Sequence, residues 1–258
     1  MVGPAGIDRR LLLTLGAATL VSACSGRASA QEPSPSPSPT RPSPAASLVA
    51  ACRPPGSAER RGTAPMEHLE CHGAEIALTV DDGPHPVWTP QVLALLERLQ
   101  VPATFCVVGQ QAARLPSLVA DVVAAGHQIA NHTHTHRTLR TANAGTVAVE
   151  IERAQHAIAT ATGGTVEPTL FRAPGGGWSP TVLGELAARS MRPLGWSVDP
   201  RDWSRPGAPA IVAAITTQVR PGSIILEHDG GGDRSQTVAA LTEVLPRLLD
   251  QGYRFVLP

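Results

Sequence analysis

Short apolar runs alternate with longer amphipathic stretches from Glu75 to the end of the chain. This alternation is typical of β-strands that alternate with α-helices. Repeated strand–helix units favour a mostly parallel sheet, either open or closed into a barrel, in a single α/β domain. The predicted strands are residues 76–80, 104–108, 128–131, 194–198, 223–227 and 253–257.

Three helix boundaries are also indicated. Thr89 and Ser179 each precede a proline, which predicts an N-cap followed by proline in the first helical turn. A further helix is expected over residues 146–161, with a glycine cap that begins at Gly163.

The N-terminus resembles an export signal, because Arg9 and Arg10 precede an apolar run over residues 11–21. This run is short for a membrane span, which needs about 20 apolar residues, so residues 1–23 are interpreted as a signal peptide. Residues 21–24 resemble a lipobox that ends at Cys24, the expected lipidation site. An ordinary cleaved signal with an incidental cysteine is the alternative, and the paired arginines leave a twin-arginine route open.

Residues 24–70 are interpreted as a lipid-anchored tether. Proline and serine dominate residues 31–44, and this composition favours an extended, solvated chain. The domain is expected over residues 71–258. The protein is therefore expected to be exported, and either anchored to the outer face of the cell membrane by lipid alone or secreted.

Composition excludes several functions. The 258 residues are 42% hydrophobic, which is ample for a core. All 21 cations are arginine and balance 21 acidic residues. The absence of lysine excludes lysine Schiff-base chemistry and a lysine-bearing phosphate loop. Zero net charge without a basic run argues against nucleic acid as a partner.

Three cysteines follow Cys24. Cys52 and Cys71 are the natural disulfide pair for an exported protein, since both lie in the polar approach to the domain. Cys106 lies in an apolar run and is expected to be a small core residue.

Adjacent carboxylates, Asp81 and Asp82, follow the first predicted strand. Two carboxylates in a confined site need a cation or a proton to coexist. A solvated Asp-Gly-Pro turn is the alternative interpretation.

Three histidines, His132, His134 and His136, follow the third predicted strand. A catalytic zinc usually takes three protein ligands and leaves a position open for water. Residues four apart lie on one face of a helical turn, so His132 and His136 are expected to converge on one ion while His134 points elsewhere. A polar surface turn is the alternative, which the nearby carboxylates disfavour.

Further polar groups follow later strands, where barrel enzymes assemble their active sites. They are Arg172, the pair Asp199 and Asp202, and His228. Each residue by itself is weak evidence for an active site, and their significance lies in their order along the chain.

The chain resembles the polysaccharide deacetylases of carbohydrate esterase family 4. All five motifs of that family are recognisable between Thr79 and His228, in the order that is typical of the family. The resemblance implies a distorted (β/α) barrel, expected to be seven-stranded, in a single catalytic domain. It implies a metal-dependent hydrolase that removes acetyl groups from N-acetylglucosamine units of peptidoglycan or chitin-like glycans.

The resemblance also implies residue roles. Asp82, His132 and His136 would hold a divalent metal, with zinc the expected ion, and Asp81 would be the general base. Bound zinc lowers the pKa of water to about 7, which suits activation by a neighbouring carboxylate. Arg172 would position Asp81.

The same resemblance assigns the remaining steps. The backbone N–H at Gly175 would stabilise the oxyanion. His228 would protonate the departing amine, with Asp202 as its orienting partner. Trp203 and Leu226 would form an apolar wall for the acetyl methyl or the sugar face.

The chain departs from the family pattern at three positions. Val80 stands where phenylalanine is common, and Cys106 where an aromatic residue is common; both are interpreted as packing changes. Gly175 stands where tyrosine is common, which keeps the backbone donor and removes a ring from the substrate groove. Trp178 is expected to be a structural residue.

Two alternatives remain. The same machinery would cleave O-acetyl esters of xylan, and a lipoprotein that only binds glycan or metal would need the metal ligands alone. Asp81 and His228 have no use in such a binder, so their presence favours an enzyme. The sequence leaves open the glycan, the acetyl position, the oligomeric state and the choice among zinc, cobalt and manganese.

Overall fold

The computed structural model describes residues 64–70 and 73–258. Seven strands and seven helices alternate along this part of the chain. The strands are β1 (Glu75–Asp81), β2 (Thr104–Val107), β3 (Gln128–Asn131), β4 (Leu170–Phe171), β5 (Arg192–Pro193), β6 (Ile224–His228) and β7 (Arg254–Phe255). The helices are α1 (Trp88–Leu99), α2 (Gly109–Arg114), α3 (Pro116–Ala124), α4 (Ala144–Ala161), α5 (Pro180–Ala188), α6 (Ala208–Gln218) and α7 (Ser235–Asp250).

All strand pairs are parallel, in the order β5-β4-β3-β2-β1-β6. The start of β1 also pairs with β7 through Glu75 and Ile76. An isolated bridge between Val198 and Ile225 links the segment after β5 to β6. This curled, seven-stranded sheet confirms the expected distorted (β/α) barrel.

Side-chain alternation along β1 separates the two faces of the sheet. Ile76, Leu78 and Val80 pack in the large core between the sheet and the helices. Ala77 belongs to a second cluster, with Cys106 of β2 and Ala130 of β3. Polar residues that share the face of Ala77 are therefore directed to the inside of the curled sheet. The expectation that Cys106 is a core residue is confirmed, because it is fully buried and free.

The strand expected over residues 194–198 is wrong. The paired strand is instead β5, which ends at Pro193, and the short β4 was not expected. The carbonyl oxygens of Leu194 and Gly195 accept hydrogen bonds from the side chain of Arg172. They are thus used by a buried guanidinium rather than by a neighbouring strand, which interrupts the ladder.

The helix boundaries agree with expectation in two of three cases. Ser179 caps α5, because its hydroxyl accepts the N–H of Val182 at 3.3 Å. The helix expected over residues 146–161 is α4, which begins two residues earlier. Thr89 is not an N-cap, since α1 already begins at Trp88. The Thr89 hydroxyl instead accepts the backbone N–H of His85 and donates to Asp229.

Several expectations lie outside the described residues: the signal peptide, lipidation at Cys24, most of the tether, and the pairing of Cys52 with Cys71. Within the described residues, none of the helices is long and apolar enough to cross a membrane.

The orientation of α4 is testable by stability measurements. Ile151 is buried and Val149 is half exposed on the same helix. Ile151→Ala is expected to lower the free energy of unfolding by about 2–5 kcal/mol, because it leaves a cavity in the core. Val149→Ala, the matched control, is expected to change it by less than about 0.5 kcal/mol. Equal losses in urea titrations would contradict this orientation.

Candidate metal centre and active site

The candidate site lies at the carboxyl ends of the parallel strands. Asp81 is the last residue of β1 and His228 the last of β6, and the two are register partners. His132 follows β3 and Arg172 follows β4. Since neighbouring parallel strands end at the same edge of a sheet, residues far apart in sequence meet here.

Asp82, His132 and His136 form a cluster that could hold a metal ion, in which one ligand atom from each lies within 4.8 Å of the others. Asp82 Oδ1 is 2.9 Å from His136 Nε2 and 3.5 Å from His132 Nε2. The expected helical turn is wrong, because residues 132–136 are not helical. Positive φ angles at Thr133 (64°) and His136 (58°) reverse the chain instead, and the imidazoles still converge.

Hydrogen bonding at His132 indicates that the cluster fits a cation. Its Nδ1 lies 2.9 Å from the carbonyl oxygen of Arg172. A carbonyl only accepts, so Nδ1 carries the proton and a neutral ring keeps a lone pair on Nε2. That lone pair faces carboxylate oxygens of Asp82 and Asp81, at 3.5 and 3.7 Å. Facing acceptors repel, and a divalent metal between the imidazole and the carboxylate would relieve the repulsion.

Electrostatics support a charged Asp82. Burial opposes its ionisation, but the two neighbouring imidazoles, when protonated, outweigh burial and hold its pKa well below the usual range. The hydrogen bond to Asp82 in turn raises the pKa of His136. The carboxylate therefore remains ionised and attracts positive charge.

Two glycines make room for Asp82, which itself adopts a positive φ of 76°. A Cβ at Gly230 would lie 2.2 Å from the Asp82 carbonyl oxygen, and one at Gly231 would lie 2.6 Å from Oδ2. Only glycine allows the loop after β6 to approach so closely.

Arg172 holds Asp81. The Arg172 side chain is fully buried, and its Nη1 donates to Asp81 Oδ1 at 2.8 Å and to Thr79 Oγ1 at 2.7 Å. Its other nitrogens donate to the carbonyl oxygens of Leu194 (3.3 Å) and Gly195 (2.8 Å). Asp81 is thereby fixed, with Oδ2 directed toward His132.

His228 is held by Asp202. Its Nδ1 is 2.6 Å from Asp202 Oδ1, and its backbone N–H donates to Asp202 Oδ2 at 3.0 Å. The Thr237 hydroxyl donates to the same Oδ2 at 2.7 Å. Burial lowers the pKa of His228, but the bond to Asp202 outweighs burial and raises that pKa above its ordinary value. Burial favours neutral Asp202, yet the bond from His228 holds its pKa below the ordinary value.

Sequence reasoning missed the residues that support the histidine loop. The Glu150 carboxylate accepts the backbone N–H groups of His134 and Thr135, at 2.9 and 2.8 Å. Asn131 Oδ1 accepts the N–H of Thr133 at 2.9 Å. A signal for Glu150 was present, since it occupies a position on the apolar face of α4 where a charged residue needs a partner.

Two buried acids beside His228 were also missed. Asp229 accepts the hydroxyl of Thr89, and its backbone N–H donates to the Asp81 carbonyl at 3.1 Å. Burial raises the pKa of Asp229 to about 7. Burial, together with the charge of Asp202, raises the pKa of Glu227 well above its usual range. The Thr89–Asp229 bond ties the first turn of α1 to the loop after β6.

The remaining predicted residues lie after β4, after β5 and in β6. Gly175 lies in a 3-10 turn directly after β4, with φ of 58°, and a Cβ there would meet nothing within 4 Å. Trp203 is 45% exposed, and Leu226 is buried in β6. Trp178 contacts the ring edge of Phe171, as expected of a structural residue.

Asp199, the first carboxylate of the predicted pair Asp199 and Asp202, does not hold His228. Its side chain accepts the backbone N–H of Arg201 at 2.8 Å. Of these two carboxylates, Asp202 is the one that hydrogen-bonds to His228 in the described part of the chain.

Comparisons with known proteins identify the family of this chain. Residues 70–194 match the family described as polysaccharide deacetylase. A chitooligosaccharide deacetylase of Sinorhizobium fredii is 46% identical over an alignment of 188 residues that covers 69% of this chain and 87% of the relative.

Two solved structures share the fold. The Bc1960 peptidoglycan N-acetylglucosamine deacetylase is 33% identical, with a TM-score of 0.68, over 71% of this chain and 85% of its own. A family 4 acetyl xylan esterase from Clostridium thermocellum, solved with a cobalt ion, is 32% identical, with a TM-score of 0.66, over 70% of this chain and 87% of its own. The resemblance inferred from the motifs is confirmed: the chain belongs to the polysaccharide deacetylase family.

Proposed function

We propose that this protein is a metal-dependent deacetylase that hydrolyses the N-acetyl group of N-acetylglucosamine units in peptidoglycan or a chitin-like glycan. One observation carries the proposal. A carboxylate held by a buried arginine and a histidine held by a buried carboxylate are register partners beside a candidate Asp-His-His metal site. The family match and the names of the relatives support the same reaction.

Asp82, His132 and His136 hold the metal in this proposal, and zinc suits the two imidazoles and one carboxylate. When bound, the cation supplies a Lewis acid that acidifies water and polarises the acetyl carbonyl. A relative, the family 4 acetyl xylan esterase, was solved with a cobalt ion, which supports a metal at this site.

Asp81 is the general base and accepts a proton from the attacking water. Arg172 keeps Asp81 in one orientation, so Oδ2 faces the metal ligands. The new C–O bond converts the acetyl carbon into a tetrahedral centre. The backbone N–H of Gly175 donates to the oxygen on which negative charge develops.

His228 is the general acid. It donates a proton to the amide nitrogen as the C–N bond breaks, so acetate and a free sugar amine leave. Asp202 orients the ring and raises its pKa above the ordinary value, which favours the protonated form of His228. Trp203 and Leu226 line the apolar side of the acetyl or sugar pocket.

An O-acetyl esterase is the second candidate, favoured by the similarity to the acetyl xylan esterase. An ester needs the same base and oxyanion donor. Its alcohol is a better leaving group than an amine, so it depends less on His228.

We also propose that the protein is exported and works outside the cytoplasm. Residues 1–23 act as the signal, Cys24 carries the lipid, and residues 24–70 tether the domain of residues 71–258. Such an anchor would place the domain near a cell-wall glycan.

Acetate release tests the reaction. The purified chain with added zinc is expected to release acetate from chitin oligosaccharides or peptidoglycan, and a chelator is expected to abolish that release. Release from acetylated xylan alone would favour the esterase. Absence of release from all three substrates, with zinc bound, would refute an enzyme and leave a glycan- or metal-binding protein.

Substitutions test the division between metal ligands and base. Asp82→Asn and His132→Ala are expected to lose bound metal, whereas Asp81→Asn keeps the metal and loses about 100-fold or more in kcat. Metal content by atomic emission and acetate release separate the two classes. His156→Ala, an exposed histidine on α4, is the matched control and keeps both. Full activity in Asp81→Asn would exclude Asp81 as the base.

The pH profile tests the acid. The bond to Asp202 raises the pKa of His228, so the protonated acid persists to higher pH and activity is lost only above this raised pKa. Asp202→Asn removes the charge that stabilises the imidazolium, and the alkaline limb of kcat is expected to move to lower pH. An alkaline limb that does not move would contradict the assignment.

A further inference from the structure

The loop between the two proposed histidine ligands does not fix their geometry by itself. Thr133, His134 and Thr135 separate His132 from His136, and this segment is neither helix nor strand. Thr133 and His136 have positive φ angles of 64° and 58°. Residues other than glycine adopt this left-handed region at a cost, so such a conformation persists only where neighbouring groups hold it. The geometry of the metal cluster therefore depends on the groups that hold this backbone.

The carboxylate of Glu150 holds the middle of the loop. Its Oε2 accepts the backbone N–H groups of His134 and Thr135, at 2.9 and 2.8 Å. Its Oε1 accepts the Thr135 hydroxyl at 2.9 Å. Glu150 lies on α4 and is only 6% exposed. Since a buried carboxylate needs donors and a buried N–H needs an acceptor, Glu150 and the loop satisfy each other.

The carbonyl groups of the same loop are held by α2. The backbone N–H groups of Gly109 and Gln110 donate to the carbonyl oxygens of Thr133 and His134, both at 2.9 Å. A Cβ at Gly109 would lie 2.7 Å from the Cα of Ala154 and 2.7 Å from Nδ1 of His134. Glycine thus allows α2, α4 and the loop to meet closely. The N–H groups of the loop are held from α4, and its carbonyls from α2.

Asn131 fixes α4 relative to the strand that precedes the loop. This residue ends β3, and its Oδ1 accepts the N–H of Thr133 at 2.9 Å. Its Nδ2 donates to the carbonyl oxygen of Ile151 and to Gln155 Oε1, both at 3.0 Å. Because α4 is attached to β3 in this way, the Glu150 carboxylate lies at a fixed point beside the loop.

We infer that Glu150 is a positioning residue for the proposed metal site. Its hydrogen bonds hold the loop in the conformation in which the imidazoles of His132 and His136 converge with Asp82 on one cation. The inference rests on the proposed metal-dependent function. Glu150 contacts the backbone between the ligands, so it acts on the cation through the loop. Groups that orient metal ligands from outside commonly change metal affinity by about 10- to 100-fold.

Two conservative variants separate the reach of the Glu150 side chain from its charge. Glu150→Gln keeps the length: its amide oxygen can accept both backbone N–H groups while its NH₂ donates to the Thr135 hydroxyl. Glu150→Asp keeps the carboxylate but withdraws it by one methylene. The Kd for Zn²⁺ or Co²⁺, measured on the full chain by competition with a chelating dye, is expected to rise about 10-fold or more in Glu150→Asp. It is expected to change little in Glu150→Gln.

The absorption spectrum of bound Co²⁺ provides a second readout, because its visible bands depend on the geometry of the ligands. The bands are expected to shift in Glu150→Asp and to match those of the wild type in Glu150→Gln. Ile158→Ala is the matched control, since Ile158 is fully buried in the core on the same helix. This variant is expected to lose stability while it keeps the wild-type Kd and spectrum.

The outcomes distinguish the inference from the proposed function. Tight binding and a wild-type spectrum in Glu150→Asp overturn the positioning role. A greater loss of affinity in Glu150→Gln than in Glu150→Asp indicates a charge effect and also overturns it, as does an equal loss in Ile158→Ala. If the wild-type chain binds neither Zn²⁺ nor Co²⁺, the proposed metal site is wrong and the inference fails with it. Loss in Glu150→Asp, with retention in Glu150→Gln and Ile158→Ala, supports the positioning role.

Discussion

The buried guanidinium of Arg172 is the interaction on which the site depends. An uncompensated buried charge costs several kcal/mol, so every donor of such a group needs a partner. Here the partners are Asp81 and Thr79 of β1 and two carbonyls of the segment after β5. The carbonyl of the same residue meets the ring of His132. One residue therefore joins two parts of the sheet, orients the proposed base and selects the tautomer of a proposed metal ligand.

The same partners explain an irregularity of the fold. A longer strand after β5 would use the carbonyls of Leu194 and Gly195 in a ladder, but Arg172 uses them instead. Trp196 packs over the guanidinium at 5.5 Å and covers it further. Local strand geometry is lost, and the charge becomes fully satisfied.

Separate buried partners distinguish the proposed acid from the proposed base. Asp81 and His228 are neighbours across β1 and β6, yet each has its own buried partner. Arg172 orients Asp81, and Asp202 stabilises the protonated form of His228. A general base and a general acid on opposite sides of one reacting bond are what hydrolysis of an amide requires.

The sequence by itself determined the fold class, the first three strands and the residues that meet at the site, because strand periodicity and the order of the polar motifs are local properties. It did not determine how His132 and His136 converge, since positive φ at Thr133 and His136 replaced the expected helical turn. Nor did it identify β4, Thr79, Glu150 or Asp229, whose roles depend on partners distant in sequence. Only the tertiary structure decided these features, because burial forces each buried polar group to find a partner in space, and the chain order does not specify which partner it meets.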